Sequence, residues 1–163
     1  MSYNNIELLS QELIEHSHNK ETINQLLLNG ANINYKTSST WCLLFEFIAN
    51  ADFKSIKYFS KKQLNINIRD NKGRNSLFWA IYFNNDEIFK LLIHLGVNVN
   101  NDIIYGIPAL HYAVYKNNIE IVKFLLKEKA NKLKIDIFGK TAIQYAIRYK
   151  HKEIEMLLKN EDI

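Results

Sequence analysis

The sequence predicts an all-α fold, a solenoid of paired antiparallel helices joined by short β-turn or hairpin-like loops. Three observations predict it. The stretch Leu95-Gly96-Val97-Asn98-Val99-Asn100 has counterparts at steps of thirty-three residues: Gly30-Ala31-Asn32-Ile33-Asn34, Gln63-Leu64-Asn65-Ile66-Asn67 and Lys129-Ala130-Asn131-Lys132-Leu133, the last without its second Asn. Charged residues recur at the same step, as Glu21, Lys54, Glu87, Glu120 and Glu153, each followed by apolar residues at helical spacing. A second apolar series with that spacing precedes the last four of them. A fixed period of this size marks stacked units, each burying against its neighbour a face that it cannot bury alone.

The elements follow in order. Residues 4–36 read as an amino-terminal capping unit: they open on Asn4-Asn5-Ile6-Glu7-Leu8-Leu9, lack a turn tip, and supply Leu13/Ile14 and then Ile23/Leu26. Residues 37–69 form an irregular unit with Leu44/Phe47/Ile48 and Ile56/Phe59. Residues 70–102 carry Leu77/Ala80/Ile81 and Ile88/Leu91/Leu92; residues 103–135 carry Leu110/Ala113/Val114 and Ile121/Phe124/Leu125. Residues 136–163 carry Ile143/Ala146/Ile147 and Ile154/Leu157/Leu158, with Lys152, Glu153, Glu155 and Lys159 turned outward as a closing cap. Such i, i+3, i+4 stripes mark helices with one buried face. Ala at the centre of the first helix lets two helices approach closely. Phe47 replaces that Ala in the second unit and is expected to push its helices apart. The pairs Asn84-Asn85 and Asn117-Asn118 fit the turn within a unit, because Asn tolerates the left-handed conformation. Between units, Asp70-x-x-Gly73, Ile103-x-x-Gly106 and Asp136-x-x-Gly139 fit tight turns with Gly at positive φ. With a cap at each end, the chain is expected to be a complete small protein.

Bulk properties narrow the function classes. The chain is 47% hydrophobic and 23% charged, in the range of ordinary globular domains rather than disordered chains. Cys42 is its one cysteine, which excludes an internal disulfide and suits a reducing compartment; a buried apolar role is expected for it. The stretch Met1 to Asn5 has no basic-then-apolar leader pattern, and no apolar run reaches the roughly 18 residues that span a bilayer. A cytoplasmic location with no membrane partner follows as the expectation. The net charge of +4 is modest, and most of the excess lies between Lys116 and Lys140.

From Gly106-Ile107-Pro108-Ala109-Leu110-His111-Tyr112-Ala113 through Glu120-Ile121-Val122-Lys123-Phe124-Leu125-Leu126, the chain resembles the ankyrin-repeat family. Asp136-Ile137-Phe138-Gly139-Lys140-Thr141-Ala142-Ile143 and Leu91 to Asn100 carry the same resemblance, which covers almost the whole chain as about five repeats. The family's usual Thr-Pro pair is replaced by Cys42-Leu43, Asn75-Ser76, Pro108-Ala109 and Thr141-Ala142. The resemblance implies recognition of another protein by the turn tips and the inner face of the first helices. Carried over position by position, it points to Trp41, Lys72, Arg74, Ile104, Tyr105, Ile107, Phe138 and Lys140 at the tips. On the helices it points to Tyr82, Phe83, Tyr115, Lys116, Arg148 and Tyr149. This set is rich in Trp, Tyr, Phe and Arg, residue types enriched in interface hot spots.

No catalytic, metal or cofactor site is expected. The resemblance assigns His111 and His151 to structural hydrogen bonds between turns, and His94 is expected to face away from the groove. His16 and His18 lack a third ligand for zinc. No phosphate loop, nucleophile elbow or zincin motif is present. The lysines from Lys116 to Lys140 raise a nucleic-acid alternative, but Lys123 and Lys127 fall on an outer helix, where Lys is a soluble helix former. The expected function is non-enzymatic protein binding by a free monomer, as an inhibitor or immunity protein sequestering a toxin or enzyme. The partner is expected to present an acidic surface. A secreted effector or adaptor aimed at a host protein is the alternative within that class.

Overall fold

The computed structural model describes residues 3–160, and among them ten helices follow one another in five pairs. They are α1 (Tyr3–Glu15) with α2 (Lys20–Leu28), α3 (Leu43–Ala49) with α4 (Phe53–Phe59), and α5 (Ser76–Tyr82) with α6 (Asp86–His94). Then come α7 (Ala109–Tyr115) with α8 (Ile119–Lys127), and α9 (Ala142–Arg148) with α10 (Lys152–Lys159). The inner helices α3, α5, α7 and α9 stack in one row, and α4, α6, α8 and α10 stack behind them. Residues 161–163 of the closing cap, like Met1–Ser2 ahead of the first, lie outside the described residues.

Each inner helix is seven residues long, well under the roughly 12–15 at which an isolated helix persists in water. Packing therefore holds them. Leu44, Phe47, Ile48, Leu77, Ala80, Ile81, Leu110, Ala113 and Val114 are all buried, as are Ile56, Ile88, Ile121 and Ile154 on the outer row. Phe47 is fully buried and stacks on Phe59, with ring centroids 5.7 Å apart and planes 13° from parallel. Its unit's irregularity shows in α4, which has seven residues where α6 and α8 have nine. Ile147 departs from the expected core series. It is 52% exposed, at the position where Ile48, Ile81 and Val114 are covered by the next inner helix.

The asparagines have separate mechanical duties. Asn84 and Asn117 take the left-handed conformation at φ 55, with Ala51 and Lys150 in the same place at φ 56 and 60. The next residue caps the outer helix: Asp52, Asn85 and Asn118 accept from the amides of Ser55, Ile88 and Ile121, supplying partners for amides with none inside the helix. In the repeated Asn-x-Asn, the first side chain accepts from the second residue's amide: Asn32 from Asn34, Asn65 from Asn67 and Asn98 from Asn100, at 2.8–2.9 Å. The second side chain reaches the next unit. Oδ1 of Asn34 accepts from the Asn65 amide at 2.7 Å, and Oδ1 of Asn100 from the Asn131 amide at 2.8 Å.

The turns between units place the tips. Most close through a single antiparallel bridge, Lys36 with Cys42, Arg69 with Asn75 and Ile135 with Thr141. In the fourth unit the turn widens into a hairpin of β1 (Asp102–Ile104) and β2 (Ile107–Pro108). Where Asp opens the turn, one carboxylate oxygen gathers two amides: Asp70 takes those of Lys72 and Arg74, and Asp136 takes those of Phe138 and Lys140, all at 2.9 Å. Neighbouring tips are tied together, the Asn75 amide to the Ile103 carbonyl and the Ile137 amide to the Gly106 carbonyl.

Candidate partner-binding groove

On α5, α7 and α9 one series stands at i, i+3 and i+4: Trp79, Tyr82, Phe83; then Tyr112, Tyr115, Lys116; then Tyr145, Arg148, Tyr149; Trp79 is buried, and the others are half-buried or exposed. Stacking at thirty-three-residue steps lays these rings side by side. Phe78 stacks on Tyr112 with centroids 4.9 Å apart, Tyr112 on Tyr115 at 6.0 Å, and Tyr145 on Tyr149 at 6.2 Å. Tyr115 meets Tyr149 edge-on at 5.5 Å. The ladder ends in a chamber of about 760 Å³ between the fourth and fifth helix pairs, roofed by Ile104, Ile107 and Phe138 from the turns. That volume lies in the ~300–1,000 Å³ range of ligand pockets.

The chamber wall is fixed by a buried polar cluster. Tyr145 donates to Asp136 at 2.5 Å. Burial works against ionisation of Asp136, but this bond and the Lys140 and Phe138 amides outweigh it and hold the carboxyl below its ordinary value. The same bond pushes the Tyr145 hydroxyl up to about 12. Nε2 of His111 faces the Lys140 carbonyl at 2.8 Å, and burial lowers the imidazole below its ordinary value despite that carbonyl and Asp136. A neutral ring with Nε2 as the donor fits this environment. Burial raises Tyr112, with Tyr115 and Tyr82 adding to the shift.

The profile of ankyrin repeats matches the chain in three copies, over residues 9–103 and 97–163. The chain belongs to the ankyrin-repeat family. It has no match among curated proteins. Ankyrin repeats generally mediate protein–protein interaction and are typically non-catalytic. The tethers that His111 and His151 were expected to make are present: Nδ1 of His151 faces the carbonyl of Val114 in the preceding repeat at 3.0 Å.

Of the sequence-predicted ankyrin contact residues, Ile104, Ile107, Tyr115, Phe138, Lys140, Arg148 and Tyr149 line the chamber together. Tyr82 and Phe83 extend the same face one repeat back, and the Lys116 ammonium lies 5.8 Å from the Tyr82 ring centre. Lys72 is exposed at its tip. Three more of the expected residues stand outside the chamber. Trp41 is half-buried, donating its indole N–H to Glu46 at 2.7 Å and packing edge-on to Trp79. Arg74 pairs with Asp70 at 2.6 Å and lays its guanidinium 4.3 Å over the Trp79 ring centre. Tyr105 is 64% exposed but lies over Gly73, outside the chamber.

Sequence reasoning missed Phe78, Tyr112, Gln144 and Tyr145, which also line the chamber. A signal existed: Trp79, Tyr112 and Tyr145 fall at one repeat position, an aromatic series as regular as the Asn motif. The basic stretch, by contrast, is broken up by internal bonds. Lys123 pairs with Glu120 and Glu153, Lys134 with Asp102, and Lys132 with the Asn160 carbonyl. Cys42 is buried, and burial pushes its thiol up to about 11, an environment that suppresses the nucleophilic thiolate. Among the described residues, no helix is long and apolar enough to cross a membrane.

Proposed function

We propose that this protein is a non-catalytic binding module that holds part of a protein partner in the groove between its inner helices and turn tips. One observation carries the reading: the ring ladder reaches the surface at Tyr82, Tyr115 and Tyr149, which are 51%, 52% and 40% exposed, beside an open apolar chamber. Helix stacking gives no reason to leave large rings half-exposed in a row. Aromatic patches rimmed by cations are the material of interface hot spots.

The role we propose is sequestration, as an inhibitor or immunity protein that masks a toxin or enzyme, acting as a monomer in the cytoplasm. The buried, unpaired Cys42 supports a reducing compartment. An effector or adaptor directed at a host protein is the competing role. Affinity capture from native lysate, read by mass spectrometry, tests the module: the protein with Tyr82, Tyr115 and Tyr149 all changed to Ser should lose the partner and keep its helical circular dichroism. Retention of the partner by that folded variant would reject the groove. Sequestration further requires that the captured partner's activity falls on binding; undiminished activity favours the adaptor role.

A further inference from the structure

The groove surface has an unbalanced charge. Inner helices α5, α7 and α9 contain no acidic residue. Every carboxylate on the flanking elements is engaged within the fold. Asp70 pairs with Arg74, Asp102 with Lys134, Asp136 binds Tyr145, and Glu46 accepts from Trp41 and Asn50. Lys140 and Arg148, at the chamber's edge, form no ion pair among the described residues, and Lys116 stands exposed one inner helix earlier. An apolar chamber thus opens between cations that pair with no carboxylate among the described residues, and the carboxylate beside it, Asp136, is buried and turned to Tyr145 and the turn amides. Complementarity of this kind selects partners and steers their approach.

We propose that this chamber is the anchor site for an acidic segment of the partner, taking one or two of its large apolar side chains onto the tyrosine rings while Lys140 and Arg148 pair with flanking carboxylates. The chamber's volume of about 760 Å³ exceeds what one side chain fills, and bulky aromatics bury roughly 150–250 Å² each, so a Trp, Phe or Leu pair is the fitting anchor. Arg148 suits a carboxylate better than Lys would, since its planar fork can bond both oxygens. The proposal rests on the groove being a protein-binding surface, and it adds the partner's chemistry.

Panning a random 16-residue peptide library on the full chain tests both levels separately. The expected result is enrichment of sequences with Asp or Glu within three residues of Trp, Phe or Leu, binding at least tenfold more weakly at 500 mM than at 50 mM salt. The variants Lys140→Glu and Arg148→Glu change exposed side chains that make no ion pair among the described residues. Each should weaken the selected peptides tenfold or more, and the double variant should prefer their Lys-substituted versions. Selected peptides that lack acidic residues but lose binding in Tyr115→Ser would overturn the acidic-segment proposal and keep the groove. Peptides indifferent to both Tyr115→Ser and Arg148→Glu, or no enrichment over bare support, would overturn both.

Discussion

The hydroxyl of Tyr145 donates to Oδ2 of Asp136 across 2.5 Å, joining a groove helix to the turn that roofs the chamber. Asp136 is 6% exposed and uses its other oxygen on the Phe138 and Lys140 amides. Tyr145→Phe keeps the ring in the ladder and removes one hydrogen bond to a buried charge, a loss of about 1.5–3 kcal/mol. Urea denaturation should show a lower midpoint with an unchanged slope. An unchanged midpoint would mean that the bond contributes nothing in solution.

Two groups near the chamber make stability depend on pH in the same direction. His111 has a folded value below its ordinary 6.5 because burial disfavours the imidazolium. Its contribution is complete above 6.5 and is lost as pH falls through the lower folded value. Asp136 also has a folded value below its ordinary 3.8. Its contribution is complete above 3.8 and disappears as pH falls through the folded value. The melting temperature should therefore start to fall below pH 6.5 and fall again below pH 4. His111→Gln should flatten the first step and leave the second. A first step of equal size in that variant would assign it to another group.

Thr40 occupies the turn position held by Gly73, Gly106 and Gly139, at φ 63 where the glycines have φ 68–73. A β-branched residue is strained there by about 1–2 kcal/mol. Its hydroxyl returns part of that by accepting from the exposed Asn71 amide at 3.1 Å. Thr40→Gly should raise the melting temperature by a few degrees. Gly73→Ala should do the reverse, by about 1–2 kcal/mol, because Ala is strained at φ 73 and its Cβ would displace the exposed Tyr105 ring. Loss of stability in Thr40→Gly would show that the hydroxyl's bond outweighs the strain.

The fold was legible because its determinants are periodic. Ile88, Ile121 and Ile154 repeat at one step and are buried at one step. Half of the groove was legible for the same reason, since Tyr115 and Tyr149 inherit their positions from the repeat. Where Trp41 and Arg74 turn was not legible, because repeat position fixes a Cα and not the direction of a long side chain. Trp41 found Glu46, and Arg74 found Asp70 and the Trp79 face. Tyr112 and Tyr145 escaped because they lie one helical turn before the pairs Tyr115/Lys116 and Arg148/Tyr149 that the resemblance marks. The chamber's roof takes Ile104 and Ile107 from the hairpin of the fourth turn, where Ile103 stands at the repeat position of Asp70 and Asp136.

Ile147 tests the limit of reading burial from a stripe. In sequence it equals Val114, yet Val114 is 0% exposed and Ile147 52% exposed. The stripe records which side of a helix the solenoid covers; coverage itself needs a following unit. Val114→Lys would bury a charge in the core where α7 packs on α8 and α9 and should cost more than about 3 kcal/mol, enough to unfold a marginal array. Ile147→Lys should fall within about 0.5 kcal/mol of the parent, as exposed substitutions do, and should reduce self-association by removing an exposed apolar side chain. Thermal melts of the two variants, with light scattering for the second, make the comparison. If Ile147→Lys destabilised as much as Val114→Lys, something in the protein's solution state would have to be covering that face.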